Sequence, residues 1–393
     1  MTAPSGSDTV CAVRSLGIWT AIPLIAACRF GFDDRPAPDA PADTVIDTPP
    51  TVLSCDSQPA FRIEAPPKRV AATAWRGGYL VVNADDQGNV HGSSYMFSGN
   101  ELVPELNSVL LATGMSAIGT LGTISVGDQT LLVVPGDSDT QVIRLDSALA
   151  PTPAELEDDW IGGTATVATN ASGQTAFIGA NYATREVDVW LVGGDPTTRK
   201  PIVIAEDAVQ ASLPTIMPAG DDFLVVWDEV ANHRVTRAEL LTVVNGALQI
   251  KVGARTLNSD LAIDAENPRG AYLASAPKYL TAWMRKVSGG EIWASLRNTD
   301  LGGDGANLLL GNAGNFPAVA AGKDDFLVAW RAADVLYASR VSPAGAVTTL
   351  NVTTGGGAIL GWDVVSRGGQ PALVWVEAAG TGALVKFDPL CHR

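Results

Sequence analysis

The stretch Phe223-Leu224-Val225-Val226-Trp227 recurs as Tyr279-Leu280-Thr281-Ala282-Trp283, as Phe326-Leu327-Val328-Ala329-Trp330 and, shortened, as Ala372-Leu373-Val374-Trp375. Weaker copies run from Tyr79 to Asn83, Leu131 to Pro135 and Ala176 to Ala180, and equivalent positions step 52, 45, 47, 56, 47 and 45 residues. A strand with one wet face alternates apolar and polar residues, whereas a strand covered on both faces is apolar throughout. FLVVW, FLVAW and YLVV are of the second kind, so each repeat places a sheet between two neighbours. Around each copy lie a shorter apolar stretch, a Gly or Asp turn, and one or two weaker strands.

A four-stranded unit repeated seven times at this period predicts an all-β chain folded as a seven-bladed β-propeller. Blade six reads as Phe316 to Ala321, Asp325 to Ala332, Val335 to Val341 and Ala346 to Val352; blade four reads as Leu213 to Pro218, Phe223 to Glu229, Arg234 to Val243 and Ala247 to Val252. In blade two, Pro151, Pro153 and the acidic run after them weaken the outer strand. The last repeat supplies only three strands, Trp362 to Ser366, Ala372 to Glu377 and Ala383 to Phe387. The alternating Phe61-Arg62-Ile63-Glu64 suits the fourth place, so the last blade is expected to be completed by an N-terminal strand at residues 60 to 64.

Composition fits. Of 393 residues 46% are hydrophobic and 17% charged, with 40 Gly and 24 Pro, as many short strands joined by turns require. The net charge of −16 with no Lys/Arg cluster argues against a nucleic-acid partner, since a phosphate backbone is bound by releasing its counterions to basic side chains.

The N-terminus gives an address. Ser15 to Ala27 (SLGIWTAIPLIAA) is apolar, preceded by Arg14 and followed by Cys28. Its 13 residues are too few to span a bilayer and suit the apolar core of a signal peptide. Ile25-Ala26-Ala27-Cys28 resembles the signal of secreted bacterial lipoproteins, in which an aliphatic and two small residues precede the cysteine that is acylated. The resemblance implies a signal peptide at 1–27, cleavage behind Ala27, lipid on Cys28, and residence on the outer membrane, since Arg29 rather than aspartate follows the cysteine. Acyl chains contribute about 0.8 kcal/mol per buried CH₂, so anchoring by more than one chain is stable. Residues 28–54, with PAPDAPAD and DTPPT, read as an extended tether, and residues 55–393 as the propeller.

Two of the four cysteines are thereby absorbed: Cys11 leaves with the signal and Cys28 carries lipid. Cys55 and Cys391 bracket the repeats in an oxidising compartment, and a bond between them would stand where a hairpin would otherwise join the final strand to the N-terminal one.

Chemical constellations are sparse. Trp227, Trp283, Trp330 and Trp375 hold one place in the repeat and read as core between blades. Asp221-Asp222 and Asp324-Asp325 recur at a turn and read as hairpin residues, and Pro214 and Pro317 as strand starts. His91, His233 and His392 stand in dissimilar contexts. Asn298 to Asn307 partly imitates a calcium loop, with Asp300 and Asp304 as weak Ca²⁺ candidates, but Gly302 and Gly311 stand where ligands belong. No nucleophile elbow, Walker loop or dinucleotide fingerprint follows a strand. No cofactor is implied, and no enzyme family is resembled.

The expected function is a non-catalytic binding or scaffolding module, anchored through Cys28 and facing the periplasm or the cell surface. Its loop faces would engage an envelope protein, peptide or glycan. The long connection Leu257 to Pro268, with Asp260, Asp264 and Glu266, is the first place to expect contacts, on loop length alone. The competing class is an extracellular polysaccharide hydrolase or lyase whose carboxylates gather in the central channel from distant repeats.

Overall fold

The computed structural model describes residues 59–63, 67, 69–99, 101–115, 121–126, 129–136, 140–157, 162–181, 186–192, 201–205, 214–230, 233–302, 307–350, 352 and 356–388. The signal, Cys28, the tether, Cys55, Asp304 and Cys391 lie outside them. The strands form seven separate four-stranded antiparallel sheets. The chain is a seven-bladed β-propeller.

A short N-terminal strand, β1 (Ala60–Ile63), precedes the blades. Blade 1 holds β2 (Arg69–Trp75), β3 (Gly78–Ala84), β4 (Val90–Ser98) and β5 (Glu101–Ala112); blade 2 holds β6 (Gly122–Val126), β7 (Gln129–Pro135), β8 (Thr140–Leu145) and β9 (Pro151–Glu157). Blade 3 follows with β10 (Gly162–Thr169), β11 (Thr175–Asn181), β12 (Glu186–Leu191) and β13 (Ile202–Ala205); blade 4 with β14 (Thr215–Ala219), β15 (Asp222–Val230), β16 (Arg234–Val244) and β17 (Ala247–Thr256). Blade 5 comprises β18 (Ala265–Leu273), β19 (Lys278–Arg285), β20 (Glu291–Asn298) and β21 (Asn307–Gly311); blade 6 comprises β22 (Asn315–Ala321), β23 (Phe326–Ala332), β24 (Val335–Val341) and β25 (Val347–Leu350). Blade 7 has β26 (Ile359–Arg367), β27 (Gln370–Ala379) and β28 (Gly382–Asp388).

In six blades the strands pair in chain order, and the first strand of every blade touches the first strand of the next, blade 7 touching blade 1. The first strands therefore line the axis. The seventh sheet has the order β1-β28-β27-β26, so the N-terminal strand supplies the outer place of the last blade, Ala60 lying opposite Lys386 and Ile63 opposite Ala383. Blades 7 and 1 meet closely: a Cβ built on Gly361 would lie 2.6 Å from the Cγ2 of Val70.

The second strand of each blade makes the core. Phe223 to Val226 are all inaccessible, as are Phe326 to Ala329, and Trp227, Trp283, Trp330 and Trp375 are buried between blades, as the repeat predicts. At hydrophobic transfer values of about 25 cal/mol per Å², these aromatic and branched side chains dominate the burial term. The doubtful outer strand of blade 2 does form: β9 carries both prolines, Ile143 facing Pro153 and Leu145 facing Pro151. An outermost strand has no further ladder to feed, so a missing N–H costs little there.

The third strands hold a feature that the repeat pattern does not announce. Opposite the third residue of each two-faced run (Val81, Val225, Thr281, Val328, Leu373) stand Ser93, Glu239, Ser295, Ser339 and Asp388, every one buried. Buried polar side chains recur here because this strand lies farther from the axis, where the wedge between blades widens. Two of them, Glu239 and Ser339, keep a side-chain oxygen without a hydrogen-bond partner.

Candidate functional site

All first strands start at the same end of the ring, where the connections from the preceding blade and the loops between second and third strands also emerge. This end, at blades 4 and 5, gathers a cluster of charged side chains. Asp228, at the end of β15, is buried and receives the Arg234 guanidinium at 3.3 Å; Arg234 also approaches Glu266 at 3.6 Å, and Lys286 reaches Glu266 at 3.1 Å. Asp264 accepts the Arg234 backbone N–H at 2.9 Å and lies 3.3 Å from His233 Nδ1. The Arg234 N–H, reinforced by His233, holds its carboxyl below the usual carboxylate range. Asp260 pairs with Arg285, which also reaches Glu291 at 3.3 Å and lies over the Trp293 ring.

The three carboxylates expected to make contacts, Asp260, Asp264 and Glu266, are thus brought together at one end of blades 4 and 5, and each is matched with a base. Glu266 lies in β18 rather than in a loop, because the first strand starts early, at Ala265.

The channel itself is charged. Arg269 on β18 donates to Thr215 Oγ1 on β14 and to the Pro268 carbonyl, both at 3.0 Å. Asp363 on β26 accepts the backbone N–H of Ala72 on β2 at 2.9 Å and that of Val364 at 2.8 Å. Burial pushes the Asp363 carboxyl up to about 6 against these N–H groups and the charge of Arg269, and burial lowers Arg269 while Asp363 and Asp228 oppose that. In each blade this position faces the fourth residue of the two-faced run: Thr215 opposite Val226, Arg269 opposite Ala282, Asp363 opposite Val374. The Ala72–Asp363 and Thr215–Arg269 bonds each stitch one first strand to another.

The other aspartates that the sequence singles out make hydrogen bonds and ion pairs within the chain. Asp222 binds Lys251 at 2.6 Å, Asp325 binds Arg340, and the Asp221 carbonyl and carboxylate accept from Asn170 and Ser172 of blade 3. Asp300 accepts the Gly302 N–H in a tight turn. Among the described residues no three His, Cys, Asp or Glu side chains gather as a metal site.

No family model and no curated protein matches the sequence. Solved structures match the fold. The fucose-recognising lectin of the fungus Aleuria aurantia, described as six-bladed, aligns with a TM-score of 0.52 at 11% identity over 73% of this chain and 97% of its own. A streptogramin B lyase aligns with a TM-score of 0.53 at 13% identity over 84% of this chain and 97% of its own. At these identities the likeness is one of architecture.

Proposed function

We propose that this protein is a lipid-anchored, extracytoplasmic glycan-binding propeller. The observation that carries the reading is the matched charge at one end of the ring. Every carboxylate of the Asp228, Asp260, Asp264, Glu266 and Glu291 group is paired with Arg234, His233, Lys286 or Arg285. Paired this way, the side chains form a charge-matched array of hydrogen-bond donors and acceptors, which is what hydroxyl-rich ligands bind to. The Aleuria lectin is a precedent for a propeller that recognises a sugar. Its test is binding of the purified full chain to immobilised neutral glycans, with a low salt dependence; failure to retain any of them removes the reading.

A polysaccharide hydrolase or lyase is the second reading, favoured by Asp363 and Arg269 in the channel, because a carboxyl held near 6 suits proton transfer. Release of reducing ends from a polysaccharide by the wild type and not by Asp363→Asn would establish it.

The anchor belongs to the same proposal. Replacing Cys28 with Ser is expected to abolish acylation and to leave the precursor with its signal uncleaved, seen as a band that migrates more slowly than the mature wild type. Metabolic labelling with a fatty acid checks it, and an unlabelled wild type ends the idea.

A further inference from the structure

Phe316 stands at the second position of β22, the innermost strand of blade 6, with φ at +47° and a side chain that is 48% exposed. A bulky aromatic in the left-handed region costs on the order of 1–3 kcal/mol, and a following proline, here Pro317, disfavours the residue before it outside extended conformations. Core packing does not explain the cost, since half of the ring faces water.

Blade 5 shows what the backbone alone would select. There Asn267, with φ at +57°, precedes Pro268 on β18. In both blades the ladder skips: Glu266 faces Met284 and Arg269 faces Ala282, while Asn315 faces Arg331 and Ala318 faces Ala329. Two residues therefore oppose one tryptophan, a β-bulge at the same place in each strand. Asparagine tolerates this conformation because its short side chain bonds locally. Phenylalanine has no such compensation. An aromatic kept in a strained bulge, exposed, at the end of a strand that lines the axis, is explained by something it touches outside the chain.

The surroundings choose the class of ligand. At the same end of the neighbouring first strand stand Glu266 and Asn267, with Lys286 bound to Glu266 and 62% exposed. One aromatic face among amide and charge-paired groups suits a molecule with one C–H face and a rim of hydroxyls; a protein partner is anchored by several apolar side chains buried together. The net charge of −16 repels polyanions, and the carboxylates at this end are already matched with bases, so an uncharged ring suits the platform. We infer that Phe316 is the platform on which the C–H face of a neutral pyranose stacks, at the mouth of the channel. This deepens the glycan-binding reading and rests on it.

The test uses the purified full chain, with methyl pyranosides of glucose, galactose, mannose and fucose as probes, followed by saturation-transfer NMR and titration. Phe316→Asn is expected to weaken binding at least tenfold while raising the thermal midpoint, because asparagine relieves the bulge; Phe316→Trp is expected to bind within about threefold of wild type. Equal binding by wild type and Phe316→Asn overturns the inference and leaves the glycan reading standing. Loss of binding together with a lowered thermal midpoint also overturns it, since the ring would then be a structural one. A wild type that binds none of the probes at tens of millimolar removes the glycan reading and the inference with it.

Discussion

Phe387→Ala is expected to lower the stability of the ring by about 3–5 kcal/mol, the range for deleting a buried aromatic side chain. Phe387 on β28 is inaccessible and touches three parts of the closure at once. Its ring lies edge-on to Tyr95 of blade 1 at 5.1 Å, 5.4 Å from Tyr79 of blade 1, and edge-on to Phe61 of the N-terminal strand at 6.1 Å. A cavity there loosens the last blade, the first blade and the strand that ties them. Urea unfolding measures the effect, and a midpoint that moves by less than 1 kcal/mol equivalent would contradict it. A double-mutant cycle with Phe61→Ala is expected to show coupling of about 0.5–1.5 kcal/mol, as edge-to-face pairs do.

The same closure bears on the cysteines. Ala60 faces Lys386, and each step back along β1 is a step forward along β28. Cys55 lies five residues before Ala60 in the sequence and Cys391 five after Lys386, both outside the described residues. The proposed Cys55–Cys391 bond closes a loop of more than 300 residues, worth up to roughly 5 kcal/mol in the chain-entropy model. Non-reducing peptide mapping is expected to return the two peptides joined; recovering both thiols free would end this part of the proposal.

The blades could be read because a sheet buried on both sides writes its burial into four or five consecutive letters, as in Phe223 to Trp227. The outer strands were harder: β17 and β25 are mostly exposed, so little in their composition reports their pairing. Arg269 and Asp363 leave no mark in the sequence, because the ring brings blades 5 and 7 to one axis, a convergence no local pattern records. Asp260, Asp264 and Glu266 were found from loop length, but their partners His233, Arg234, Arg285 and Lys286 come from turns in the second and third strands, which only the ring packing places beside them. Phe316 was legible as a strand residue, not as an exposed one, because a bulge shifts facing by a residue without changing the letters around it.

The pH dependence follows from two carboxyls in the third strands. Glu239 on β16 and Asp188 on β12 are 3% and 4% exposed, and Glu239 Oε1 and Asp188 Oδ1 have no hydrogen-bond partner. Burial pushes both up to about 7, with the charge of Glu186 adding to the rise at Asp188. A carboxyl raised in the folded state binds its proton more tightly folded than unfolded. Its contribution is therefore fully present below pH 4 or so, where both states are protonated, and is lost as pH rises toward 7, at about 1.4 kcal/mol per pH unit for each group. Glu239→Gln removes the ionisation and keeps the shape. It is expected to raise stability at pH 8 by about 2 kcal/mol, to change it little at pH 4.5, and to flatten the slope between. Asp264 and Asp85, both lowered, act in the opposite sense, their contributions lost as pH falls, so the decisive quantity is the difference between variant and wild type across pH rather than either curve alone. An offset equal at pH 4.5 and pH 8 would mean that Glu239 stays ionised inside the fold, with a partner supplied from solvent between blades.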